Sequence, residues 1–235
     1  MYHRNVATVK KRRRRWFRSL VLLVVVLTAG VYFFLAAALV CLRWVNPPTT
    51  MVQTERRIES WWNRKPYDKR QDWVPLARIS PELQHAVVAA EDGRFFQHNG
   101  IDWKEVQKVV DKNLEEGKLG RGGSTITQQL IKNLFFTTSR SYVRKGVEFT
   151  LAPLAECVLP KQRILELYLN VIEWGPGVYG AEAASRTWYR ISAAKVDREQ
   201  AARLAAVIPS PLRRNPARMN SYAAEIQRRM TQMAW

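Results

Sequence analysis

At 235 residues the chain is long enough for a short anchor and one catalytic domain of about 190 residues with a buried core. Its 38 basic and 20 acidic residues give a net charge of +18, which favours an anionic partner such as nucleic acid, a membrane surface or a phosphorylated substrate. Cys41 and Cys157 lie in different environments, so no disulfide is expected. His3, His85 and His98 lack the spacing of a zinc site, and no protein-ligated metal is predicted.

Residues 20–42 form an uncharged apolar run that, as a helix, would span roughly 35 Å and cross the core of a bilayer. A cleaved signal peptide is the alternative, but its apolar core normally has only about 7 to 15 residues. Seven basic residues lie at positions 10–18, whereas only Arg43 follows the run closely. By the positive-inside rule, residues 1–19 are a cytoplasmic basic segment and the chain beyond the transmembrane helix lies outside the cytoplasm.

Residues 43–74 mix prolines and charges with the Trp61-Trp62 pair and show no sustained hydrophobic period. This composition predicts a membrane-proximal linker that lies against the membrane or the domain. From residue 75 to 235 the pattern is helical, and no stretch alternates apolar and polar residues as a strand does. This region is therefore predicted to be a single domain of the all-α class.

Several helix starts can be read from side chains. Ser80 can cap a helix with Pro81 at its first position, and that helix should stop at Gly93. Capping-box spacing marks two more starts, at Thr125 with Gln128 and at Asp197 with Gln200. Further helices are expected at about 143–158 and 161–173, and the tail after Pro209 is expected to be solvated and to end in a final helix.

Two adjacent acids, Glu91 and Asp92, fall where the first of these helices gives way to a loop. The negative end of a helix dipole raises the pKa of a nearby carboxyl group toward the range of a general base. A solvated helix end would have the same sequence. An isolated Glu-Asp pair does not distinguish the two interpretations.

A glycine-rich loop at residues 120–123 leads into the helix that begins near Thr125. Such a loop offers free backbone N–H groups to anionic oxygens, although the GxxxxGK[ST] pattern is missing. Gln128 and Lys132 share a helix face, so an amide and an ammonium group can point at one ligand. A flexible loop before an ordinary amphipathic helix is the alternative.

Arg144 and Lys145 precede Glu148 by one helical turn. The three residues form either a surface ion-pair cluster or a wall that faces pyrophosphate and includes a second functional acid. Periodicity does not choose between these alternatives. The stretch 161–170 has a continuous apolar face and predicts a core helix, followed by a tight turn at 175–180.

Together these segments resemble the family 51 peptidoglycan glycosyltransferases, specifically the monofunctional biosynthetic type. Four motifs match in order: EDxxFxxHxG at 91–100, GGSTxxQQxxKN at 122–133, RKxxE at 144–148 and KxxILExYLNxxxxG at 161–175. The chain is too short for an added transpeptidase domain. Its SxxK match at 192–195 is not followed by the other transpeptidase motifs, so chance explains it.

The resemblance implies a lysozyme-like α-helical domain with a smaller, partly membrane-embedded lobe, on the periplasmic side of the bacterial inner membrane. The implied reaction polymerises lipid II into glycan strands with inversion and releases undecaprenyl pyrophosphate, for cell wall biogenesis. Expected partners are lipid II, the growing glycan strand, the membrane, and cell-division or wall-synthesis proteins, whereas nucleic acid is not expected. No cofactor is implied, apart from a divalent cation that could bridge the pyrophosphate.

By matching positions, the expected catalytic residues are Glu91 as the base and Glu148 as the second essential acid. The expected substrate-binding residues are Ser124, Thr125, Gln128, Gln129, Lys132, Asn133, Arg140, Arg144 and Lys145. Lys132, Arg144 and Lys145 match cations that face the pyrophosphate, and Arg140 lies outside the strict motifs. Where the family commonly has Tyr/Phe-Phe-Gly-Lys, this chain has WYRIS at 188–192, so no role is carried over for that lysine.

Two other functions are open from the residues alone. A muramidase-like hydrolase would also use two carboxylates, but it needs no cations for a pyrophosphate. A basic membrane protein could bind nucleic acid or anionic lipid through charge alone, and the acids at 91 and 148 would then be idle. The clustered cations and the anchor favour synthesis.

Overall fold

The computed structural model describes residues 2–117, 123–139 and 141–235, with the side chains of 2–15 and 116 left aside. Within these ranges the chain forms ten α-helices: α1 (Tyr2–Cys41), α2 (Met51–Trp62), α3 (Pro81–Glu91), α4 (Trp103–Glu116), α5 (Ile126–Phe135), α6 (Tyr142–Val158), α7 (Lys161–Val171), α8 (Ala181–Tyr189), α9 (Arg198–Ala205) and α10 (Asn220–Gln232). Three short strands accompany them: β1 (Arg70–Gln71), β2 (Glu173–Gly175) and β3 (Val178–Tyr179). The predicted all-α class is confirmed.

Helix α1 carries the apolar run. Its segment Trp16–Cys41 is long and apolar enough to cross a membrane, and the most apolar part of that segment is not covered by the rest of the protein. The end nearest the domain is different, because Leu39 is fully buried and the Tyr32 hydroxyl lies 2.7 Å from Thr150 Oγ1 of α6. The helix fits a single-pass membrane anchor whose final turns pack directly on the domain.

Arg163 of α7 forms hydrogen bonds to the residues that directly follow α1. Its guanidinium donates to the carbonyl oxygens of Leu42 at 2.8 Å and Val45 at 3.1 Å, and to Asn46 Oδ1 at 2.8 Å. The last carbonyls of a helix have no partners within the helix, and a cation there also faces the negative end of the helix dipole. Together with the contact between Tyr32 and Thr150, this side chain holds the end of the anchor against the domain.

The segment between anchor and domain contains regular structure that its composition did not predict. Thr50 caps α2 by accepting a hydrogen bond from Gln53 N, and Val52 and Gln53 are buried against the domain. Trp61 and Trp62, at the other end of α2, are exposed. Because so few residues of α2 are buried while its tryptophans face outward, the hydrophobic period of the helix is obscured in the sequence.

The predicted helix starts are confirmed. Ser80 accepts a hydrogen bond from Leu83 N at the start of α3. Both capping boxes are present, Thr125 with Gln128 on α5 and Asp197 with Gln200 on α9. Helix α4 was not anticipated, although Asp102 caps it through the backbone N–H groups of Lys104 and Glu105.

The core has two neighbouring groups of helices. Helix α5 packs against both α6 and α7, and α3 packs against α9 and α10. The expectation of a solvated tail is wrong for α10, because Ala223, Ile226 and Met230 are buried. Since α3 ends at Glu91 and α5 begins at Ile126, the boundary between the groups holds the start of two predicted motifs.

The strands form one small sheet in the order β1-β3-β2, with β1 parallel and β2 antiparallel to β3. Arg70 pairs with Val178, so the sheet ties the segment before the domain to the turn after α7. Gly180, at the end of β3, has φ +84°, and a Cβ there would lie 2.8 Å from the carbonyl oxygen of Asn170. Only glycine allows this approach without strain. Cys41 and Cys157 are unpaired, as expected.

Candidate active site

A cleft of about 990 Å³ lies between the two helix groups. Nine of the eleven predicted site residues line it: Glu91, Ser124, Thr125, Gln128, Gln129, Lys132, Arg144, Lys145 and Glu148. Asn133 instead lines an adjoining cavity of about 140 Å³, which Lys132 and Gln129 also border. Arg140 lies outside the described residues. The motifs, separated by up to 57 positions, are thus brought to one surface.

Glu91 is the last residue of α3 and points toward α5. Gln129 Nε2 donates a hydrogen bond of 2.7 Å to Glu91 Oε2. The side-chain amide oxygen of Gln129, Oε1, in turn accepts a 2.8 Å hydrogen bond from the hydroxyl of Tyr168, which is fully buried on α7. The carboxylate is therefore held in place by two other helices.

Burial raises the pKa of Glu91 above its ordinary value of 4.5. The hydrogen bond from Gln129 and the charges of Lys132 and Arg214 act in the opposite direction, and the neighbouring Asp92 adds to the increase. The direction agrees with the sequence argument, but the largest cause is loss of solvent rather than the helix dipole. A half-buried carboxylate that is kept ionisable by nearby cations has the properties of a general base.

Asp92, which follows Glu91 in the sequence, has a structural role. Its carboxylate lies 3.0 and 3.1 Å from His98 Nε2, and Oδ2 accepts a 2.9 Å hydrogen bond from Ile126 N. The residue thereby joins the end of α3 to the start of α5. The two adjacent acids of the first motif have separate roles, since Glu91 faces the cleft and Asp92 fixes the loop.

The start of α5 is less open to an anion than the glycine-rich sequence predicted. Ile126 N donates to Asp92, and Gln128 N donates to Thr125 Oγ1. Thr125 Oγ1 also donates to the carbonyl oxygen of Gly100 at 2.6 Å. These N–H groups are occupied within the protein, and residues 120–122 of the loop lie outside the described residues.

The face of α5 shared by Gln128 and Lys132 lines the cleft, as the i, i+4 spacing predicted. Gln128 is 1% exposed, and its Nε2 has no hydrogen-bond partner among the described residues. Burial lowers the pKa of Lys132, while the negative charge of Glu148 acts in the opposite direction. An unpaired amide donor and a partly desolvated ammonium group both favour an anionic or hydroxyl-rich ligand.

Glu148 is 3% exposed and is compensated by two cations. Arg144 Nε lies 3.0 Å and Lys145 Nζ 3.2 Å from its two carboxylate oxygens. Arg144 Nη1 also donates to the carbonyl oxygen of Thr137 at 2.8 Å, and Lys145 Nζ donates to Ser124 Oγ at 3.0 Å. The three charged groups therefore line the cleft and are not a surface cluster.

Several cleft residues were missed by the sequence argument. The last helix contributes Tyr222, Arg229 and Gln232, with Met233 just after it, and the segment before it contributes Ile208 and Pro209. No motif marked them, because their role depends on α10 packing against α3. Tyr168 was predicted to be a core residue. The one feature of the sequence that could have indicated its contact with the site is its hydroxyl group, which lies within an otherwise apolar helix face.

Asp92, His98 and Asp102 form the cluster closest to a metal site in the described ranges, with ligand atoms within 4.8 Å of one another. The spacing of the histidines in the sequence did not predict this cluster. These groups are already engaged, since Asp92 holds His98 and Ile126 N, and Asp102 caps α4 and lies 3.5 Å from Arg94. The cluster fits a structural role, and Arg94 disfavours a cation beside it.

The apolar N-terminal helix, the helical domain and a cleft with two carboxylates and several cations fit a membrane-anchored enzyme with an anionic substrate. Comparison with known proteins gives the family. The transglycosylase family profile matches residues 56–234. The chain therefore belongs to the transglycosylase family.

Individual relatives agree with this assignment. A biosynthetic peptidoglycan transglycosylase of Pseudomonas entomophila is 45% identical over 199 residues, which cover 83% of this chain and 84% of the relative. The protein of the same name from Laribacter hongkongensis is 44% identical over 200 residues, covering 83% and 88%. That of Bordetella pertussis is 54% identical over 166 residues, covering 67% and 69%. The predicted activity is confirmed: this is a glycosyltransferase that polymerises peptidoglycan glycan strands.

Proposed function

We propose that Glu91 is the general base of this polymerisation. It takes the proton from the 4-hydroxyl group of an acceptor lipid II, whose oxygen forms a bond to the anomeric carbon of the growing strand. The bond from that carbon to the pyrophosphate breaks, with inversion, and undecaprenyl pyrophosphate leaves. The observation that carries the proposal is the hydrogen bond from Gln129, which holds the half-buried Glu91 carboxylate, with its raised pKa, at the cleft.

The leaving group gains negative charge as its bond to carbon breaks. We assign its stabilisation to Lys132, Arg144 and Lys145, because fixed cations in a cleft with little water act strongly on developing charge. Glu148 is then the acid that keeps two of these cations in position, at 3.0 and 3.2 Å. The proposal requires no protein-bound cofactor, and a divalent cation at the cleft would supply further positive charge for the leaving pyrophosphate.

Gln128 is proposed to bind substrate directly. Its Nε2 is buried without a partner in the described part of the chain, and a phosphate or sugar oxygen would satisfy it. Ser124 is assigned an indirect role, because its hydroxyl accepts from Lys145. The adjoining cavity at Asn133 shares Lys132 with the cleft and would extend the same site.

The proposed location is the inner membrane, with the N-terminus cytoplasmic and the domain periplasmic. The basic residues at 10–18 support this orientation. Tyr32, which contacts Thr150 of α6, lies about 14 Å along the helix from Cys41. The first half of α6 is therefore proposed to enter the outer leaflet, where the exposed Tyr142 and Val143 would meet lipid.

Incubating the purified full-length protein with lipid II, and separately with finished sacculi, tests the proposed reaction. We expect glycan polymer and undecaprenyl pyrophosphate from lipid II, and no soluble fragments from sacculi. Release of muropeptides without polymer formation would indicate a hydrolase and contradict the proposal.

A further inference from the structure

Helix α2 reaches a loop that belongs to the active site. The carboxylate of Glu55 accepts two hydrogen bonds from Thr138, one from its backbone N at 2.7 Å and one from its hydroxyl at 3.1 Å. Thr138 lies between α5 and α6, 83 residues further along the chain. The segment that directly follows the anchor thus holds a turn that precedes the third motif.

The neighbouring residue in that turn, Thr137, is bonded to one of the cationic side chains of the cleft. The carbonyl oxygen of Thr137 accepts a 2.8 Å hydrogen bond from Arg144 Nη1. The same guanidinium lies 3.0 Å from Glu148 through its Nε. Arg144 is therefore held at two points, by a buried carboxylate on its own helix and by a backbone carbonyl whose position depends on the turn.

Glu55 sits on a helix that is itself fixed. The next residue, Arg56, forms an ion pair of 3.2 Å with Glu173, whose side chain is 5% exposed. Gln53 is buried and donates to Gln71 Oε1 at 3.2 Å, which joins α2 to β1. Because α2 is tied down on both sides of Glu55, the carboxylate can restrain the turn rather than follow its motion.

We propose that Glu55 is a positioning residue for glycan polymerisation, which acts by fixing the turn at Thr137 and Thr138 and thereby the guanidinium of Arg144. The inference rests on the proposed role of Arg144 at the pyrophosphate. When Glu55 is removed, Arg144 keeps its ion pair with Glu148 but the Thr137 carbonyl loses its restraint. A displacement of about 1 Å in a group that stabilises a transition state can lower turnover by orders of magnitude.

Steady-state polymerisation of lipid II by the full-length protein in liposomes provides the test, with Glu55→Ala compared with Glu59→Ala. Glu59 is an exposed acid on the same helix that pairs with Arg56 at 2.8 Å and, among the described residues, makes no contact with the turn, so it is the matched control. We expect Glu55→Ala to lower kcat about tenfold with little change in KM, and Glu55→Asp to recover part of the loss. Glu59→Ala should retain the parent kcat.

A double-mutant cycle separates positioning from general support of the fold. In an Arg144→Ala background, Glu55→Ala should lower kcat little further, because its effect passes through Arg144. Independent, multiplying effects, or a lower melting temperature with unchanged kcat, would overturn the inference. If Arg144→Ala lowers kcat and Glu55→Ala does not, only this inference fails. If Arg144→Ala itself leaves kcat unchanged, the proposed role of Arg144 fails first.

Discussion

The side-chain amide of Gln129 donates a hydrogen bond of 2.7 Å to the carboxylate of Glu91. Because the oxygen of the same amide accepts from Tyr168 at 2.8 Å, the amide cannot turn over without losing both bonds. The contact therefore orients the proposed base and lowers its proton affinity, against the larger effect of burial. It joins residues 38 positions apart, on two different helices.

Gln129→Leu should move the acidic limb of the pH–rate profile to higher pH. The hydrogen bond from Gln129 stabilises the ionised carboxylate and lowers the pKa of Glu91, so its loss raises that pKa further. Glu91 accepts a proton only when ionised, and activity is lost as the pH falls through its pKa. We expect a displacement of about one pH unit in kcat/KM. An unchanged acidic limb would show that Gln129 does not act on the base.

Lys132→Ala should lower turnover far more than Lys195→Ala. Lys132 lines the cleft, whereas Lys195 is exposed on a short turn after α8. Loss of a charge-assisted contact costs about 1.5 to 3 kcal/mol, or roughly one to two orders of magnitude in rate if the contact acts in the transition state. Polymerisation kinetics of the two variants decide the matter, and equal rates close to the parent would refute the assignment of Lys132.

Gly100→Ala should destabilise the fold, while Gly93→Ala should not. Gly100 has φ +89°, and a Cβ there would lie 2.6 Å from the backbone carbon of Ala152 on α6. A Cβ at Gly93 would meet nothing within 4 Å. We expect a loss of about 2 to 4 kcal/mol in the free energy of unfolding for Gly100→Ala, measured by denaturant titration in detergent. Similar midpoints for the two variants would contradict this packing.

A reporter fused after Trp235 should be active only outside the cytoplasm. The basic residues before the span hold the N-terminus inside, and a single span then places the C-terminus on the opposite side. Alkaline phosphatase and a cytoplasmic fluorescent protein, fused at the same position, give complementary readouts. Fluorescence from the second fusion, with no phosphatase activity from the first, would reverse the proposed orientation.

Features with local signals could be predicted from the sequence. The capping boxes at Thr125 and Asp197 depend on residues three positions apart, and the anchor depends on a continuous apolar run. The ordered motifs identified most of the cleft residues because each motif carries its own side chains. None of these features depends on contacts with residues that are distant in the sequence.

Features that depend on distant contacts could not be predicted. Helix α10 lines the cleft because Ile226 and Met230 pack in the core, and its sequence resembles a solvated basic helix. The role of Tyr168 depends on reaching Gln129 on another helix, and its neighbours are apolar. Nothing in the sequence separates the role of Asp92 from that of Glu91, because the structural role of Asp92 depends on its contacts with His98 and Ile126 N.

The most direct test of the account is lipid II polymerisation by Glu91→Gln. The substitution keeps the size of the side chain and removes the proton acceptor, so the fold should be retained while turnover falls by about 10² to 10⁴ fold. Glu199→Gln, at a 66% exposed acid on α9, is the control and should match the parent rate. Turnover by Glu91→Gln at the parent rate, with an unchanged pH profile, would show that another group is the base.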